Sequence, residues 1–404
     1  MNDLSKRYNL SPGILKEKKV KYYPENLSIL NTDNSTIRII VNPQEIYLNL
    51  NESELQMEFE VLKTAGTRYA DADDIRLVNL APLALFSEMR LKTSSDKTLE
   101  KVGHLHTNIL MHKLLTSTHE NEAAGFIKDA DKRKDQLLTN NPTKGYMSYR
   151  IDMKDIFGFI ECSEKYTYGL GYILEFRRKS DDAAIVRDNG LAAAKIDIKR
   201  LSWIIPSITP SNENQLVMQK HLANNDHFEY FYLEKKTFYQ TVPRATEFNF
   251  DLSLQVGVEI PVYVIICFQN TNVNAQTNDT TYTQLDVTNA YCQIGSDCYP
   301  EDYMKIDYTR NIYDDAYNEV LSFYKNQIGL PHIPLISRAE FKANYNFYIF
   351  DLRYQPEHIS AQPMKVFFEF ANAPGAGISA HALVLKKTLI SISSDGRKML
   401  DLVN

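Results

Sequence analysis

Four histidines, His104, His106, His112 and His119, are this sequence's nearest approach to a metal-binding set. Ligands on one helix must share a face, which needs spacings of three or four residues. His104 and His106 are two apart and His112 lies six beyond His106, so the spacing predicts ordinary surface histidines. Carboxylates cluster at Asp71, Asp73 and Asp74, at Asp181-Asp182 and at Asp314-Asp315. Such groups do acid–base work or bind Ca²⁺. Here the first two lie in polar loop stretches and the third opens a helix, where negative charge meets the N-terminal dipole, so solvated or capping roles are expected. Cys162, Cys267, Cys292 and Cys298 include no CxxC pair and are too few for a disulfide scaffold, which reads as reduced thiols in a reducing compartment. Cys292 and Cys298 are near enough in sequence to bridge or share a metal, but no histidine stands at matching spacing. Gly169-Leu170-Gly171 lacks the third glycine and the following helix of a dinucleotide loop, and reads as a kink or close backbone approach. P-loop, nucleophile-elbow, HExxH and EF-hand patterns are absent. No catalytic, cofactor or metal residue is assigned, and no enzymatic activity is expected.

One charge pattern stands out. Lys6, Arg7, Lys16, Lys18, Lys19 and Lys21 fall within a stretch where only Asp3 and Glu17 oppose them, although the whole chain carries 45 Lys+Arg against 51 Asp+Glu and a net charge of −6. Pro12-Gly13 interrupts any helix there, so residues 1–35 read as an extended basic arm. Its charges either meet phosphate or an acidic partner surface, or merely solubilise the chain. Zinc-finger, helix-turn-helix and RNP-like signatures are missing.

The elements that would position these residues are mostly strands. Leu55, Met57, Phe59 and Val61 alternate with Gln56, Glu58 and Glu60, a period of two. Further strand patterns cover 36–41, 45–50, 83–92, the segments YRIDM and IFGFI, 168–179 and 194–208. After 226 they continue through FEYFYLEKKTFYQTV, FNFDLSLQVG, 260–270, 286–300, 346–352, 363–372 and 381–393. Helical spacing is read at 98–116, 213–224 and 313–329, with a Lys- and Asp-rich loop at 117–148. The result is two strand-rich halves of about eight strands each. Open sheets rarely exceed about 10 strands, so two jelly-roll barrels in tandem fit better than one sheet. The expected fold is all-β: arm 1–35, first roll 36–210, connecting helix 211–225 and second roll 226–404.

Of 404 residues 44% are hydrophobic, enough for a large core, and no window approaches the ~18 apolar residues of a membrane span. The start lacks the apolar region of a signal peptide, so neither secretion nor bilayer anchoring is expected. Aromatics make up 11%, with Tyr 25 and Phe 19, a composition suited to subunit contacts and sheet faces.

Several segments, in order, resemble the double jelly-roll major capsid proteins of Polinton/Maverick elements and adintoviruses. They are YYPENLSILNTDNSTIRIIV with EIYLNLNESELQMEFEV, then VNLAPLALFSEMRL (78–91), then IFGFIECSEKYTYGLGYILEFRRKSDDAAIVR (156–187) with AAAKIDIKRLSWIIPSITPSNE (192–213). VYVIICFQNTN (262–272), DVTNAYCQIGSDCYP (286–300), LISRAEFKANYNFYIFDL (335–352) and HALVLKKTLISISSDGRKML (381–400) follow. Departures are local: Pro82-Leu83-Ala84 replaces a usual polar pair, Gly295-Ser296-Asp297-Cys298 an Asn-Ser dipeptide, and Asn270-Thr271-Asn272 a T-D-R.

The resemblance implies a structural subunit assembled as a homotrimer whose six similar wedges form a pseudo-hexameric block tiling an icosahedral shell. It implies neighbouring capsomers, penton and minor capsid proteins as partners, and a virion assembled in the host nucleus or cytoplasm. Segments 64–82 and 271–285 would be outward loops. The basic arm, through Lys6, Arg7, Lys16, Lys18, Lys19 and Lys21, would lie at the inner face against neighbours or, non-specifically, DNA. Removing residues 1–22 is then expected to leave trimers intact but impair shell closure. The alternatives are a carbohydrate-binding or hydrolytic β-sandwich, against which the lone Trp203 in a strand-like run counts, and a single-roll penton or minor capsid protein, against which the length counts.

Overall fold

The computed structural model describes residues 14–70, 73–118, 146–161, 167–188, 190–224, 227–257, 259–271, 281–329, 334–355, 361–393 and 399–401. The first half contains β1 (Ile14–Tyr22), β2 (Thr36–Val41), β3 (Tyr47–Leu48), β4 (Glu54–Lys63), β5 (Ile75–Leu77), α1 (Ala81–Ala84), β6 (Phe86–Thr93), β7 (Thr98–Gly103) and α2 (Leu105–Thr116). It continues with β8 (Tyr146–Asp152), α3 (Met153–Ile156), α4 (Gly158–Glu161), β9 (Thr167–Tyr168), β10 (Tyr172–Arg178), β11 (Ile185–Arg187) and β12 (Ala194–Pro210). After α5 (Asn212–Ala223) the second half contains β13 (His227–Thr241), β14 (Glu247–Val256), β15 (Ile260–Asn270), β16 (Val287–Ile294) and β17 (Asp297–Lys305). Then come α6 (Asp314–Ile328), α7 (Arg338–Ala343), β18 (Phe347–Asp351), β19 (Gln362–Phe370), β20 (Ile378–Ser393) and β21 (Met399–Asp401).

Each half is a jelly roll of two facing antiparallel sheets, and the halves share one strand order. In the first, β1-β12-β4-β8 faces β2-β10-β6-β7; in the second, β13-β20-β15-β18 faces β14-β19-β16-β17. Strand β14 shows why the pattern folds this way. Phe248, Phe250, Leu252, Leu254 and Val256 point inward while Glu247, Asn249, Asp251, Ser253 and Gln255 stay in water. Strands β15, β18 and β20 instead read as near-continuous apolar runs because their sheet is covered twice, by the facing sheet and by helices α6 and α2. Phe323 of α6 meets Tyr263 of β15 edge to face at 4.9 Å, and His112 of α2 in turn meets Phe323.

The cores of the two rolls interlock. Leu110, Met111, Leu114 and Leu115 of α2 belong to the second roll's core, while Tyr232 of β13 and Ile390 and Ile392 of β20 complete the first's. At about 1.5–3 kcal/mol per buried large apolar side chain, this exchange binds the halves into one unit.

Several expectations change. The helix expected over 98–116 begins only at Leu105; Thr98–Gly103 is a strand paired with β6, because cross-strand pairing outweighs helical spacing. IFGFI forms parts of α3 and α4 rather than a strand. The segment 64–82 is not a free outward loop, since Ile75–Leu77 pairs with Ile185–Arg187 and Leu77 and Val78 are buried. Of 271–285, residues 272–280 lie outside the described residues, while Tyr282 is buried and donates to the Thr107 carbonyl.

The largest correction concerns the arm. Residues 14–22 are the first strand of the first roll, paired with β12 from Ile14↔Pro210 to Tyr22↔Trp203, so that roll does not begin at 36. Strand β1 has one free edge, and its lysines suit an edge that must not recruit another chain.

Two outcomes follow. Removing residues 1–13 should leave the thermal midpoint essentially unchanged, whereas removing 1–22 should lower it by exposing the β12 edge; equal midpoints would refute the strand's structural role. Leu114→Ala should cost about 2–5 kcal/mol in denaturant unfolding, and hydrogen exchange should show the second roll loosening although the residue lies in the first half.

Candidate functional site: assembly surfaces and the inter-roll junction

The residues singled out in the sequence are scattered. His119, Asp71, Cys162, Lys6 and Arg7 lie outside the described residues. His112 is buried and His106 half-buried with a ring nitrogen 2.6 Å from the Asn79 carbonyl oxygen, which corrects the surface reading for both; only His104 is exposed. Burial holds the His106 pKa down to about 4, since a charged ring would lose its hydration. Among the described residues no group of three metal-ligating side chains converges. Asp181 is structural: it pairs with the buried Arg178 and accepts from the Ile196 N–H at 2.9 Å. Asp314 at the start of α6 meets Arg338 at 2.8 Å. Cys267, Cys292 and Cys298 are free, and burial pushes the first two thiols up, away from reactivity. A Cβ on Gly171 would lie 2.7 Å from the Val41 carbonyl oxygen, the close approach expected there.

Two outer sheet faces differ in character. On the first roll, Lys19 reaches Glu54 at 3.4 Å and Lys21 reaches Gln56 at 2.8 Å, so half of the four described basic positions are engaged within the chain. Arg150 also pairs with Glu54, and Arg200 and Tyr146 with Glu58, making a charged layer over that sheet. Lys16 and Lys18 are exposed on β1. On the second roll, β16, β17 and β19 stack Tyr303, Tyr291 and Phe367 in a row on the outer face, with ring centroids 4.2 and 4.8 Å apart. Tyr303 is 43% exposed. Period-two alternation assigns Tyr291 and Phe367 to the outer face, but only the β16–β19 and β16–β17 pairings bring the three rings together.

Between the rolls lies a feature the sequence did not announce. Glu100 of β7 is buried and accepts backbone N–H bonds from Gly158 (3.2 Å) and Phe159 (3.0 Å) of α4 and from Lys235 (2.8 Å) of β13. Lys235 in turn donates its ammonium to the carbonyls of Lys154 and Asp155 and to Glu161. Beside this junction an open cleft of about 980 Å³ is lined by the start of α2, the ends of β6, β7 and β10, and β13.

With that architecture in view, the class of protein is clear: residues 76–390 match the family model described as a double jelly roll-like domain, and the chain belongs to that family. Solved structures with this fold come from viruses and virophages and include a major capsid protein. The capsid of the virus PBCV-1 superposes with a TM-score of 0.59 at 11% identity, covering 96% of this chain and 97% of that one. A chain of the Sputnik virophage gives 0.56 at 8%, covering 98% and 90%. The mavirus major capsid protein gives 0.53 at 9%, covering 100% and 95%. No curated protein matches the chain.

Glu100 sets a pH dependence. Burial raises its pKa from 4.5 to about 7, against the opposing effect of its N–H donors. The folded state therefore holds this proton more tightly than the unfolded chain. The associated stability is complete below about pH 4.5 and is lost as pH rises through about 7, an effect of roughly 3 kcal/mol. Thermal midpoints of the native chain should fall across that window more steeply than those of Glu100→Gln; parallel profiles would refute the assignment.

Proposed function

We propose that this chain is a major capsid protein that assembles as a homotrimer and tiles an icosahedral shell, with its sheet faces rather than any pocket as the working surface. The observation that carries this reading is the pair of fused rolls with one strand order, which gives each subunit two similar wedges and a trimer six. Likeness to viral major capsid proteins over nearly the whole chain supports the capsid role. The motif order quoted above supports the Polinton/adintovirus type, and with it neighbouring capsomers, penton and minor capsid proteins as partners. The virion is then its destination, after assembly in the host nucleus or cytoplasm.

A trimer contact of this kind buries above about 2,000 Å². The Tyr303–Tyr291–Phe367 row is the aromatic surface we assign to a lateral contact, since rigid rings bury area at small entropic cost. Lys16 and Lys18, together with Lys6 and Arg7, are assigned to the inner face, against a neighbour or DNA phosphates. A sugar-binding sandwich is disfavoured because Trp203 is fully buried and offers no platform.

Native mass of the recombinant chain tests the proposal: a trimer, or shells in electron micrographs, is expected, and a tight monomer under all assembly conditions would overturn it. Within that test, Tyr303→Ser should shift trimer or shell to monomer while leaving the thermal midpoint nearly unchanged, because this ring is 43% exposed at the end of the row. Undiminished assembly would remove this row from the contact.

A further inference from the structure

The inter-roll cleft has an unbalanced pattern of charge. Seven charged side chains line it: Glu88, Lys101, Arg177, Lys179, Asp182, Glu234 and Lys236. Most are neutralised locally. Lys101 pairs with Glu88 at 2.9 Å, Lys236 with Glu259 at 2.7 Å, and Glu234 with Lys386 at 3.0 Å. Arg177 and Lys179 make no ion pair among the described residues, and both are exposed to the cleft. Arg177 lies at the end of β10 and Lys179 just beyond it, and both line the cleft. The nearest ladder partner of Arg177 is Glu88, already engaged by Lys101 and Arg90. Asp182, in the following turn, makes no ion pair among the described residues, so it offsets only part of the excess.

The first turn of α2 opens onto the same space. His104, Leu105, His106 and Thr107 line the cleft, and His104, in the left-handed region at φ 43°, supplies no side-chain cap. The first intrahelical bond runs from the Asn108 N–H to the His104 carbonyl, so the preceding N–H groups lie at the positive end of a 12-residue helix. His104 stacks on Tyr239 at 4.5 Å and meets His381 edge-on at 5.2 Å. His381 is buried, and its Nδ1 finds no hydrogen-bond partner among the described residues. Burial first, and the positive charge of Lys179 after it, hold down the pKa of His104, His106 and His381. Two cations without an ion pair among the described residues and an uncapped helix start thus line one cavity of about 980 Å³, more than a single oxyanion fills.

We propose that the cleft between the two rolls binds a small phosphate-bearing anion, held by Arg177, Lys179 and the N-terminal turn of α2, with the His104–Tyr239 stack as the floor beside it. The ligand would bridge β10 and α2 of the first half to β13 of the second, and so brace the junction that Glu100 holds. Free polyphosphate and a nucleotide's phosphate chain share this chemistry. They differ in whether an aromatic base also engages Tyr239, which is 43% exposed.

The test uses the full-length native chain. Inorganic phosphate, tripolyphosphate and a nucleoside triphosphate are titrated by calorimetry and thermal shift against sodium chloride of matched ionic strength. Saturable binding is expected, tighter for tripolyphosphate than for phosphate. Equal affinity for the triphosphates identifies a phosphate-only site, and tighter nucleotide binding adds the aromatic stack; either supports the proposal. Lys179→Met and Arg177→Met, both on exposed side chains, should each weaken binding by about tenfold or more while the ligand-free thermal midpoint holds. Lys305→Met, a cation of β17 remote from the cleft, should bind like the native chain. Absence of saturable binding, or affinity undiminished in the double Arg177, Lys179 variant, would overturn the assignment. Capsid assembly is not part of the readout, so failure here is separable from failure of the capsid reading.

Discussion

A carboxylate removed from water between two barrels has to be met by donors, and Glu100 is met by three backbone N–H groups that belong to elements of both rolls. The need arises from topology. Strand β13 lies at the edge of its sheet, and an edge strand leaves a row of N–H groups that must be satisfied or kept in water. Side chains do this here: Glu100 takes the Lys235 N–H of β13, and Thr237 of β13 accepts the Gly103 N–H of β7, itself an edge strand, at 3.0 Å. The close approach is steric as well as electrostatic. A Cβ on Gly158 would fall 1.8 Å from the Leu233 carbonyl oxygen, so only glycine lets α4 lie against β13. Because each roll also completes the other's core, the relative placement of the rolls is part of the fold rather than a hinge between domains.

Helical insertions decide which faces are left for other molecules. Helices α2 and α6 cover the outer face of β20-β15-β18, and these three strands are apolar on both sides accordingly. The opposite sheet, β14-β19-β16-β17, keeps a wet outer face, and there the aromatic row sits. The first roll's β1-β12-β4-β8 sheet carries a layer of ion pairs on its outer side instead. Exposed pairs of this kind contribute little stability, and their effect is to keep that face soluble and its contacts selective. The chain thus presents one covered face, one aromatic face and one charged face in different directions, which suits the proposed packing around an axis.

Strand-forming segments with alternating or continuous apolar runs were legible directly, as in Phe248 to Val256 and Val262 to Phe268, because each residue's preference is set by burial on a known face. Helix α6 was equally plain, with Asp314 and Asp315 at its start and Gly329, at φ 81°, ending it. Two segments misled. Thr98–Gly103 has helical spacing yet pairs as a strand, and Ile14–Tyr22, dominated by lysines, has too little apolar alternation to announce a strand; in both, the decisive partner lies elsewhere in the chain.

The sequence by itself determined the all-β character, the two-fold repetition of strand series and the long helices, since these follow from local periodicity and from turn and cap residues. The tertiary structure alone decided that Glu100 faces α4 and β13, that α2 packs into the other roll, that Tyr303, Tyr291 and Phe367 line up, and that Arg177 and Lys179 share a cleft with a helix start. Each of these depends on which strands are neighbours and in what register, and a non-local pairing leaves no mark on the residues within one segment.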